Sequence, residues 1–592
     1  MALIDRDTLD FLLYDVLDAQ ALTQLAPYHD HSRETFSQTL DTATRVAETW
    51  FLPHNGKADE HEPQFDGDTV TTLAEVKDAF RHFVDAGLLT ARLPFEQDGM
   101  QLPSLINGAC ISQFTAANPS SAAYPFLTMA AANLIDHFAS DALKQTWLPL
   151  MRSGQATGTM VLTEPDVGSS LGDLTTSATP ADDGSYRIRG QKMYISGGDH
   201  DLTDNIVHLV LARIKGAPAG TRGISLFLVP KWHVDDSGAP STRNDVALAG
   251  LLHKMGYRGT TSTVLTFGEK DQCVGYLIGE AHQGLKYMFM MMNEARVGVG
   301  LGAASIACRG YAESLAYARE RPQGRLPSCK DASSKPVMII EHADVRRMLL
   351  TQKAYAEGAL MLCLYGNRLI DLAEHSDGDE QRNAQQLLDL LTPVIKSWPS
   401  EFGLKANELA IQVLGGAGYI REYPVEQCYR DQRLNPIHEG THGIQGLDLL
   451  GRKLWQDNSR GLVALDAAVR ATIRTAGEHE ELQLMAATLE SEWNKASALI
   501  QTLGKALAAG DPDRTLANAS VFLTWMGHLV VAWQWLWQAQ AALASDQPDT
   551  FCQGKLQACR YFFRWELPQC NHWHDLLASQ DDTCYAMPIN AF

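Results

Sequence analysis

The chain has 592 residues, of which 45% are hydrophobic and 20% are charged, and its formal net charge is −21 at pH 7. This length exceeds what one hydrophobic core usually holds, so several domains are expected. The acidic balance argues against a general affinity for nucleic acid or for an anionic membrane surface, because binding to phosphate groups needs concentrated Lys and Arg.

The ten cysteines include no CxxC pair and no Cys/His spacing typical of a metal site. This pattern predicts reduced thiols and no bound metal. The N-terminal sequence MALIDRDTLDFLLYDVL mixes acidic with apolar residues and does not resemble a signal sequence. We therefore expect a cytoplasmic protein.

Residues 1–158 are predicted to form an N-terminal helical domain with a short extension at its start. Apolar residues recur at three- and four-residue spacing in TLAEVKDAFRHFVDAGLL and AANLIDHFASDALKQTWLPLM, which is typical of amphipathic helices. The character changes at residues 159–280, where short runs rich in β-branched residues, such as NIVHLVLARI and GISLFLVP, are separated by Gly and Asp. This pattern predicts a central antiparallel β domain.

Long helical periods resume at residues 281–460 and predict a four-helix bundle. A segment rich in Pro, Ser and Lys at 322–336 is expected to be a surface loop. Residues 461–592 are predicted to form a further C-terminal helical domain. The predicted fold is therefore mainly α, with one β domain in the middle of the chain.

The run Val521–Trp537 is apolar enough to resemble a membrane element. A spanning helix needs about 20 apolar residues, and His528 and Gln534 interrupt this run. We predict a buried helix. The alternative is a Trp-rich surface that docks on a membrane or on a partner.

One carboxylate, Glu439, precedes a predicted turn and helix. Gly440 gives the backbone freedom for a sharp turn, and Thr441 suits the N-cap of a helix that contains Ile444 and Leu447. A carboxylate shielded from water near a helix N-terminus can act as a base, because desolvation and the helix dipole shift its pKa in opposite directions. A solvated loop acid followed by an ordinary cap fits the same residues, so the pattern alone leaves both interpretations open.

Five segments resemble motifs of the acyl-CoA dehydrogenase family and occur in that family's order. They are VLTEPDVGSS (161–170), GQKMYISGG (190–198), EARVGVG (294–300), QVLGGAGY (412–419) and YPVEQCYRDQRLNPIHEGTHGIQ (423–445). The resemblance covers about residues 35–455. It implies a helical N-terminal domain, a β-barrel-like middle domain and a C-terminal four-helix bundle.

The chain also resembles one branch of that family. FLLYDVL, HADVRRML and EGTHGIQGLDLLGRKL are similar to the large branch that includes 3-methylmercaptopropionyl-CoA dehydrogenase and several bacterial fatty acyl-CoA dehydrogenases. Members of this branch add a C-terminal helical domain, which agrees with the prediction for residues 461–592.

The family resemblance implies a reaction, the FAD-dependent α,β-dehydrogenation of an acyl-CoA to a trans-2-enoyl-CoA. Glu439 matches the base that takes the α-proton while hydride leaves Cβ for the flavin N5. Gly440 matches the residue that allows the catalytic turn. In the family, the thioester oxygen is held by the backbone N–H of the glutamate and by a flavin hydroxyl.

The resemblance also assigns cofactor-binding residues. Thr163 and Ser196 match hydroxyls beside the flavin ring, Tyr194 matches an aromatic side chain packed against it, and Gly168 and Ser169 match the loop on its phosphate side. Further positions are implied to bind FAD across a subunit interface or near its nucleotide, which implies a homodimer. These are Arg321, Gln412, Gly415, Gly416, Thr441 and Gln445.

Some family members place the catalytic glutamate on an earlier helix, immediately before the position of Arg296. That position is Ala295 here, and Glu294 is one residue away, a rotation of about 100° on a helix. Arg296 and His438 are implied to lie at the substrate site. His438 replaces the usual aromatic residue, and it either alters chain preference or the pH profile or acts as a neutral spacer.

The implied electron acceptor is an electron-transfer flavoprotein. An acyl-CoA oxidase would carry out the same half-reaction with oxygen as the acceptor, and access of oxygen to the reduced flavin would decide between the two. A DNA-binding flavoprotein of the same fold would need a basic C-terminal domain, whereas residues 461–592 are acidic on balance.

Overall fold

The computed structural model of the protein describes residues 3–331 and 333–592, without the side chains of residues 290 and 293. The described chain divides into two compact units. The first unit comprises Met1–Ser37, Pro103–Ser112 and Arg296–Phe592, and the second comprises Gln38–Leu102 and Gln113–Ala295. The predicted domain limits at 158, 280 and 460 stay predictions, because the two compact units divide the chain at other residues.

The segment before the main sheet is helical, as its apolar periodicity predicts. Asn118 starts one of its helices by accepting a hydrogen bond from the Ser121 N–H, and Pro119 occupies the first turn of that helix. The helices and the short hairpin of this segment are α1 Arg6–Asp10, α2 Arg33–Val46, α3 Asn55–Glu60, β1 Gln64–Phe65, β2 Val70–Thr71, α4 Ala74–Asp85, α5 Ser104–Ala117, α6 Pro119–Phe138 and α7 Asp141–Arg152.

The second unit holds a β-sheet and a separate hairpin. The strands are β3 Ala156–Val161, β4 Ser177–Pro180, β5 Tyr186–Ser196, β6 Asn205–Ile214, β7 Ile224–Pro230, β8 Trp232–Val234, β9 Pro240–Arg243, β10 Val246–Leu251, β11 Ser262–Phe267 and β12 Val274–Leu277. The strand order in the sheet is β10-β11-β5-β12-β7-β6-β3, and β4 pairs with β5 and β6. The hairpin consists of β8 and β9.

The predicted antiparallel arrangement holds for most neighbouring strands and is wrong for two pairs. Strands β3 and β4 both run parallel to β6. A parallel pair needs a long connection, and residues 162–204, which contain β4 and β5, connect β3 to β6. Nearly all residues of β6 and β7 are buried, because apolar side chains cover both faces of the sheet there.

Long helices follow the sheet, in agreement with the predicted helical bundle. They are α8 Gly284–Glu320, α9 Ala343–His375, α10 Gly378–Leu414, α11 Val425–Gln432 and α12 His442–Gly451. One boundary between the two units falls inside α8, and others fall inside α2 and α5. The predicted loop at 322–336 links α8 to α9, and one of its residues, Ala332, lies outside the described residues.

The C-terminal extension of the first unit is helical, as predicted. Its helices are α13 Arg460–Ala476, α14 Gln483–Ala508, α15 Pro512–Thr515, α16 Ala519–Ala544, α17 Asp549–Tyr561 and α18 Gln569–Ala578. Trp525, Trp533 and Trp535 of α16 are at most 1% exposed, so they form no docking surface. Among the described residues, no helix has the length and apolar character needed to cross a membrane.

Helix α16 packs closely against α10. A Cβ added at Gly527 would lie 2.6 Å from the Trp398 ring, so the two helices approach through the space that a side chain at Gly527 would fill. Trp398 Nε1 also donates a hydrogen bond to His528 Nδ1 at 3.0 Å. The extension is therefore joined to the bundle by packing and by a buried polar contact.

A buried charge cluster links the extension to α9. Glu357 of α9 is buried and accepts hydrogen bonds from Lys353 and, at 2.7 Å, from Lys555 of α17. Burial raises the pKa of Glu357, whereas the two ammonium groups lower it by a larger amount, so the net shift is downward. The buried charge of Glu357 is therefore compensated by one lysine of its own helix and by one lysine of the C-terminal extension.

Candidate active site

Glu439 lies in a tight turn at the N-terminus of α12. Its φ angle is 53°, in the left-handed region that few residues other than glycine adopt, and Gly440 follows with φ 93°. Thr441 is the N-cap, since its side chain accepts a hydrogen bond from the Ile444 N–H at 3.4 Å. The local sequence therefore folds into the predicted capped turn.

Two side chains hold the carbonyl groups of this turn. Gln445 of α12 donates from Nε2 to the Glu439 carbonyl at 3.1 Å, and Lys396 of α10 donates from Nζ to the Gly440 carbonyl at 2.7 Å. Lys396 and Gln445 are both fully buried. The two peptide planes that follow Glu439 are therefore fixed by neighbouring helices.

The Glu439 carboxyl lies partly buried among positive charges of the first unit. Burial raises its pKa, whereas Arg296 and Lys396 lower it, and the net shift is upward. Burial lowers the pKa of Arg296, and Asp448 opposes this effect from 3.6 Å. A carboxylate with a raised proton affinity beside fixed cations suits a general base.

His438 is held next to the turn as a neutral side chain. Its Nε2 lies 3.2 Å from Asn435 Oδ1. Burial and the nearby Lys396 lower the pKa of His438 to about 3. This environment argues against a His438 that titrates near neutral pH, and its role at the substrate site stays a prediction.

Glu294, near the rival position for the base, is engaged elsewhere. Its Oε1 accepts a hydrogen bond from Asn133 Nδ2 at 2.6 Å in the second unit. Ala295, which follows it, has no ionisable group. The preference for Glu439 over Glu294 as the base stays a prediction.

The second unit brings together the residues matched to the flavin ring. The Met193 N–H donates to the Thr163 carbonyl at 2.9 Å, which places the loop after β3 beside the end of β5. Tyr194 has φ 60° and is 64% exposed, and Ser196 is exposed opposite Ser262 of β11. An aromatic ring and two hydroxyl-bearing residues thus lie around the contact between the loop after β3 and the C-terminal end of β5.

The loop that follows Thr163 has an exposed backbone that a ligand can approach closely. Gly168 and Ser169 are exposed, and a Cβ added at Gly168 would meet no atom within 4 Å. Such a loop can bring its backbone close to a ligand. The predicted phosphate-side residues are therefore accessible.

A buried ion pair joins the loop after β3 to β5. Lys192 of β5 donates from Nζ to Glu164 at 3.0 Å and to the Leu162 carbonyl at 2.8 Å. Glu164 also accepts hydrogen bonds from Thr175 and Thr176. Burial raises the pKa of Glu164, but Lys192 and these hydrogen bonds lower it to about 2. The pair fixes the loop to the strand that carries Tyr194.

The residues matched to an intersubunit cofactor contact lie at the ends of α8 and α10 in the first unit. Arg321, Gln412, Gly415 and Gly416 are all exposed. The helix ends share an apolar cluster formed by Ala318, Ile339, Met348, Leu349, Ala410, Val413, Leu414 and Val425. The Arg321 guanidinium makes no hydrogen bond or ion pair within the described residues.

The structure thus groups the predicted residues by unit. Thr163, Gly168, Ser169, Tyr194 and Ser196 belong to the second unit, and the others belong to the first. Gln445, matched to a position near the nucleotide, is buried under the Glu439 turn. Arg296 and His438 lie in the same region as Glu439.

Sequence reasoning missed supporting residues, namely Lys396, Asp448, Glu164 and Lys192. A Lys inside the apolar run LLTPVIKSW was the available signal for Lys396, since buried lysines need a partner. Glu164 and Lys192 lie inside two recognised motifs, but their pairing depends on the register of β5. No local pattern indicated Asp448.

Family models match four parts of the chain. They are the acyl-CoA dehydrogenase N-terminal domain at residues 33–155, the middle domain at 159–269, the C-terminal domain at 282–454 and an acetyl-CoA dehydrogenase C-terminal-like domain at 465–588.

Individual relatives span nearly the whole chain. The 3-methylmercaptopropionyl-CoA dehydrogenase of Ruegeria pomeroyi is 35% identical over 94% of this chain and 95% of its own length. The broad-specificity linear acyl-CoA dehydrogenase FadE5 of Mycobacterium tuberculosis is 32% identical over 98% of each chain. The structure of an acyl-CoA dehydrogenase complexed with FAD from Bacillus anthracis has a TM-score of 0.69 at 20% identity, and the match covers 98% of this chain and 96% of that one.

The predicted fold and the predicted branch with a C-terminal extension are confirmed by these matches. The full-length similarity exceeds what a shared motif alone would give, since it includes the helical extension. This chain belongs to the acyl-CoA dehydrogenase family and is an oxidoreductase.

Proposed function

We propose that the protein catalyses the FAD-dependent α,β-dehydrogenation of an acyl-CoA to a trans-2-enoyl-CoA, with Glu439 as the base. The observation that carries this proposal is the environment of Glu439. Its carboxyl is partly buried, its proton affinity is raised, and its backbone is fixed by Lys396 and Gln445. The proposed substrate class follows from membership of the family.

The chemistry requires a base and a site for developing negative charge. The α-hydrogen of a thioester is too weakly acidic for a free carboxylate to remove unaided. Glu439 accepts the α-proton at its carboxylate, and its backbone N–H binds the thioester oxygen as negative charge develops there. Gly440, with its positive φ, allows the turn that presents both groups.

The residues of the second unit fit a flavin. Thr163 and Ser196 offer hydroxyl donors, the exposed Tyr194 offers an apolar face, and Gly168 and Ser169 leave space for a close backbone approach. FAD, when bound there, supplies the acceptor for the hydride that leaves Cβ. The B. anthracis relative in complex with FAD supports this choice of flavin.

We propose a homodimer in which Arg321 binds the pyrophosphate of FAD in the partner subunit. A guanidinium without a partner among the described residues suits a phosphate, which it can bind through two parallel hydrogen bonds. Gln412, Gly415 and Gly416 would contact the same cofactor, and Thr441 and Gln445 would lie near its nucleotide. An electron-transfer flavoprotein is the proposed electron acceptor.

Anaerobic titration of the purified protein with acyl-CoA substrates from short to long chains tests the proposal. We expect yellow protein, loss of the oxidised flavin absorbance on addition of substrate, and trans-2-enoyl-CoA as the product. Oxygen consumption measured in parallel separates a dehydrogenase from an oxidase. Colourless protein, or flavin that no acyl-CoA reduces, would contradict the proposed function.

A further inference from the structure

Lys396 is a buried lysine in the middle of α10. Its side chain is fully buried, and the residues on either side of it, Ile395 and Ser397, are buried as well. Its Nζ donates to the Gly440 carbonyl at 2.7 Å. Burying a cation costs free energy unless a hydrogen bond and a negative charge compensate it. The Gly440 carbonyl supplies the hydrogen bond, so a negative charge must come from another group.

The groups that face Lys396 show where the balancing charge lies. Arg296 faces it from α8, His438 and Glu439 from the turn, and His442 from α12. Burial lowers the pKa of both histidines, so both are neutral near pH 7. Burial lowers the pKa of Lys396 itself to about 7, and Glu439 opposes this shift, so Lys396 carries its charge in the acid range. Among the described residues that face Lys396, Glu439 is the group that can carry a negative charge.

Gln445 provides an internal comparison, because it makes the same kind of contact without a charge. Its amide donates to the Glu439 carbonyl at 3.1 Å, one peptide before the carbonyl that Lys396 holds. Both side chains fix the turn, and Lys396 alone of this pair adds a positive charge. The two contributions can therefore be separated by substitution.

We propose that Lys396 is a positioning residue of the reaction, whose ammonium fixes the Gly440 carbonyl and holds Glu439 in the ionised form that accepts a proton. This inference rests on the proposed role of Glu439 as the base. Packing alone does not require a lysine at position 396, because an apolar side chain would fill the same space at lower desolvation cost.

The test compares pH profiles of acyl-CoA-dependent dye reduction in the flavin-loaded enzyme. In Lys396→Gln, the amide can still donate a hydrogen bond but carries no charge, so we expect the acid limb of kcat to move up by about one pH unit. Glu439 must lose its proton to act, and without the nearby cation its pKa rises. In Gln445→Met, we expect a lower kcat and an unmoved acid limb.

Two further variants complete the experiment. Lys405→Gln removes an exposed lysine of the same helix, and its profile should match the wild type. Lys396→Arg retains the charge, so its acid limb should stay at the wild-type position even where kcat falls. If Lys396→Gln does not fold, Lys396→Arg decides, and a shifted limb in that variant would overturn the inference.

An unmoved acid limb in folded Lys396→Gln would also overturn the inference. Activity of Glu439→Gln distinguishes this failure from failure of the proposed function. If Glu439→Gln is inactive while Lys396→Gln keeps the wild-type profile, only the role of Lys396 is wrong. If Glu439→Gln stays active, the base assignment itself is wrong.

Discussion

At the scale of single residues, opposing influences act on the carboxyl of Glu439. Burial favours the protonated form, and Arg296 and Lys396 favour the ionised form. A base needs both influences, because a fully stabilised carboxylate would bind a proton too weakly and an uncompensated one would already hold a proton at neutral pH. The left-handed backbone of Glu439 shows that its position is held by its surroundings.

Replacement of Glu439 by Gln should leave the fold and the flavin content intact, because Gln has the same shape and its backbone contacts persist. We expect the rate of acyl-CoA dehydrogenation to fall by about 10²–10⁴-fold, since the amide cannot accept the α-proton. Stopped-flow measurement of flavin reduction checks this expectation.

Glu294→Gln is the matched control for that substitution. Its carboxyl accepts a hydrogen bond from Asn133, so we expect the variant to reduce flavin within a few fold of the wild-type rate. A large loss in Glu294→Gln together with a normal rate in Glu439→Gln would transfer the base role to the earlier helix.

At the scale of elements, β5 is held in place by the buried pair of Glu164 and Lys192. Glu164→Gln leaves the ammonium of Lys192 buried without an anion, and such a change costs about 3–5 kcal/mol of unfolding free energy. Asp271→Asn is the matched control, because Asp271 pairs with Arg189 of the same strand on the surface, where a pair contributes about 0–1 kcal/mol. Urea unfolding at neutral pH measures both changes.

The same pair predicts a pH dependence of stability. The pKa of Glu164 is about 2 in the folded chain, below its ordinary value of 4.5, so its ionisation stabilises the fold at pH values above its ordinary value. This contribution is lost as the pH falls from 4.5 towards 2. The difference in stability between the wild type and Glu164→Gln should therefore shrink in acid. A constant difference would show that Glu164 acts only through packing.

The end of α8 carries a prediction about the cofactor. Arg321→Gln should weaken FAD binding about tenfold or more, because a hydrogen bond to a charged group is lost. Arg319→Gln removes a neighbouring exposed arginine in the last turn of α8 and should retain its flavin. The ratio of flavin to protein after dialysis checks this prediction, and equal loss in both variants would contradict a specific role for Arg321.

The helices and the sheet could be predicted because their signals are local. Periodicity identified α9, α10 and α16, and alternating β-branched runs identified the middle sheet. The parallel placement of β3 beside β6 could not be predicted, because it depends on which distant strand occupies each edge. The contact between Lys396 and Gly440 could not be predicted either, because the two residues are 44 positions apart and their contact depends on the rotation of α10 about its axis. Motif resemblance supplied the site residues, and their roles stay proposals.

At the scale of the whole molecule, the C-terminal extension is part of the first unit. Gly527 of α16 allows close contact with Trp398 of α10. Gly527→Ala should lower the unfolding free energy by about 1–3 kcal/mol, because its methyl group forces the Trp398 ring to move. Thermal unfolding with calorimetric detection provides the measurement.

Gly554→Ala is the matched control on α17. Its nearest non-local atom would be 3.9 Å from the added Cβ, so the substitution should be neutral or stabilising by up to about 1 kcal/mol through helix propensity. Equal effects at the two glycines would contradict the close packing of α16 against α10.

Glu357 has a consequence for the order in which the chain is completed during synthesis. Lys555, one of its two cationic partners, is 198 residues further along the chain, so α9 leaves the ribosome long before Lys555 exists. In that interval the cationic partner of Glu357 among the described residues is Lys353, on its own helix. The bundle therefore reaches its final charge balance only after α17 has been synthesised, and a nascent chain that stops short of Lys555 carries an incomplete core that chaperones can recognise.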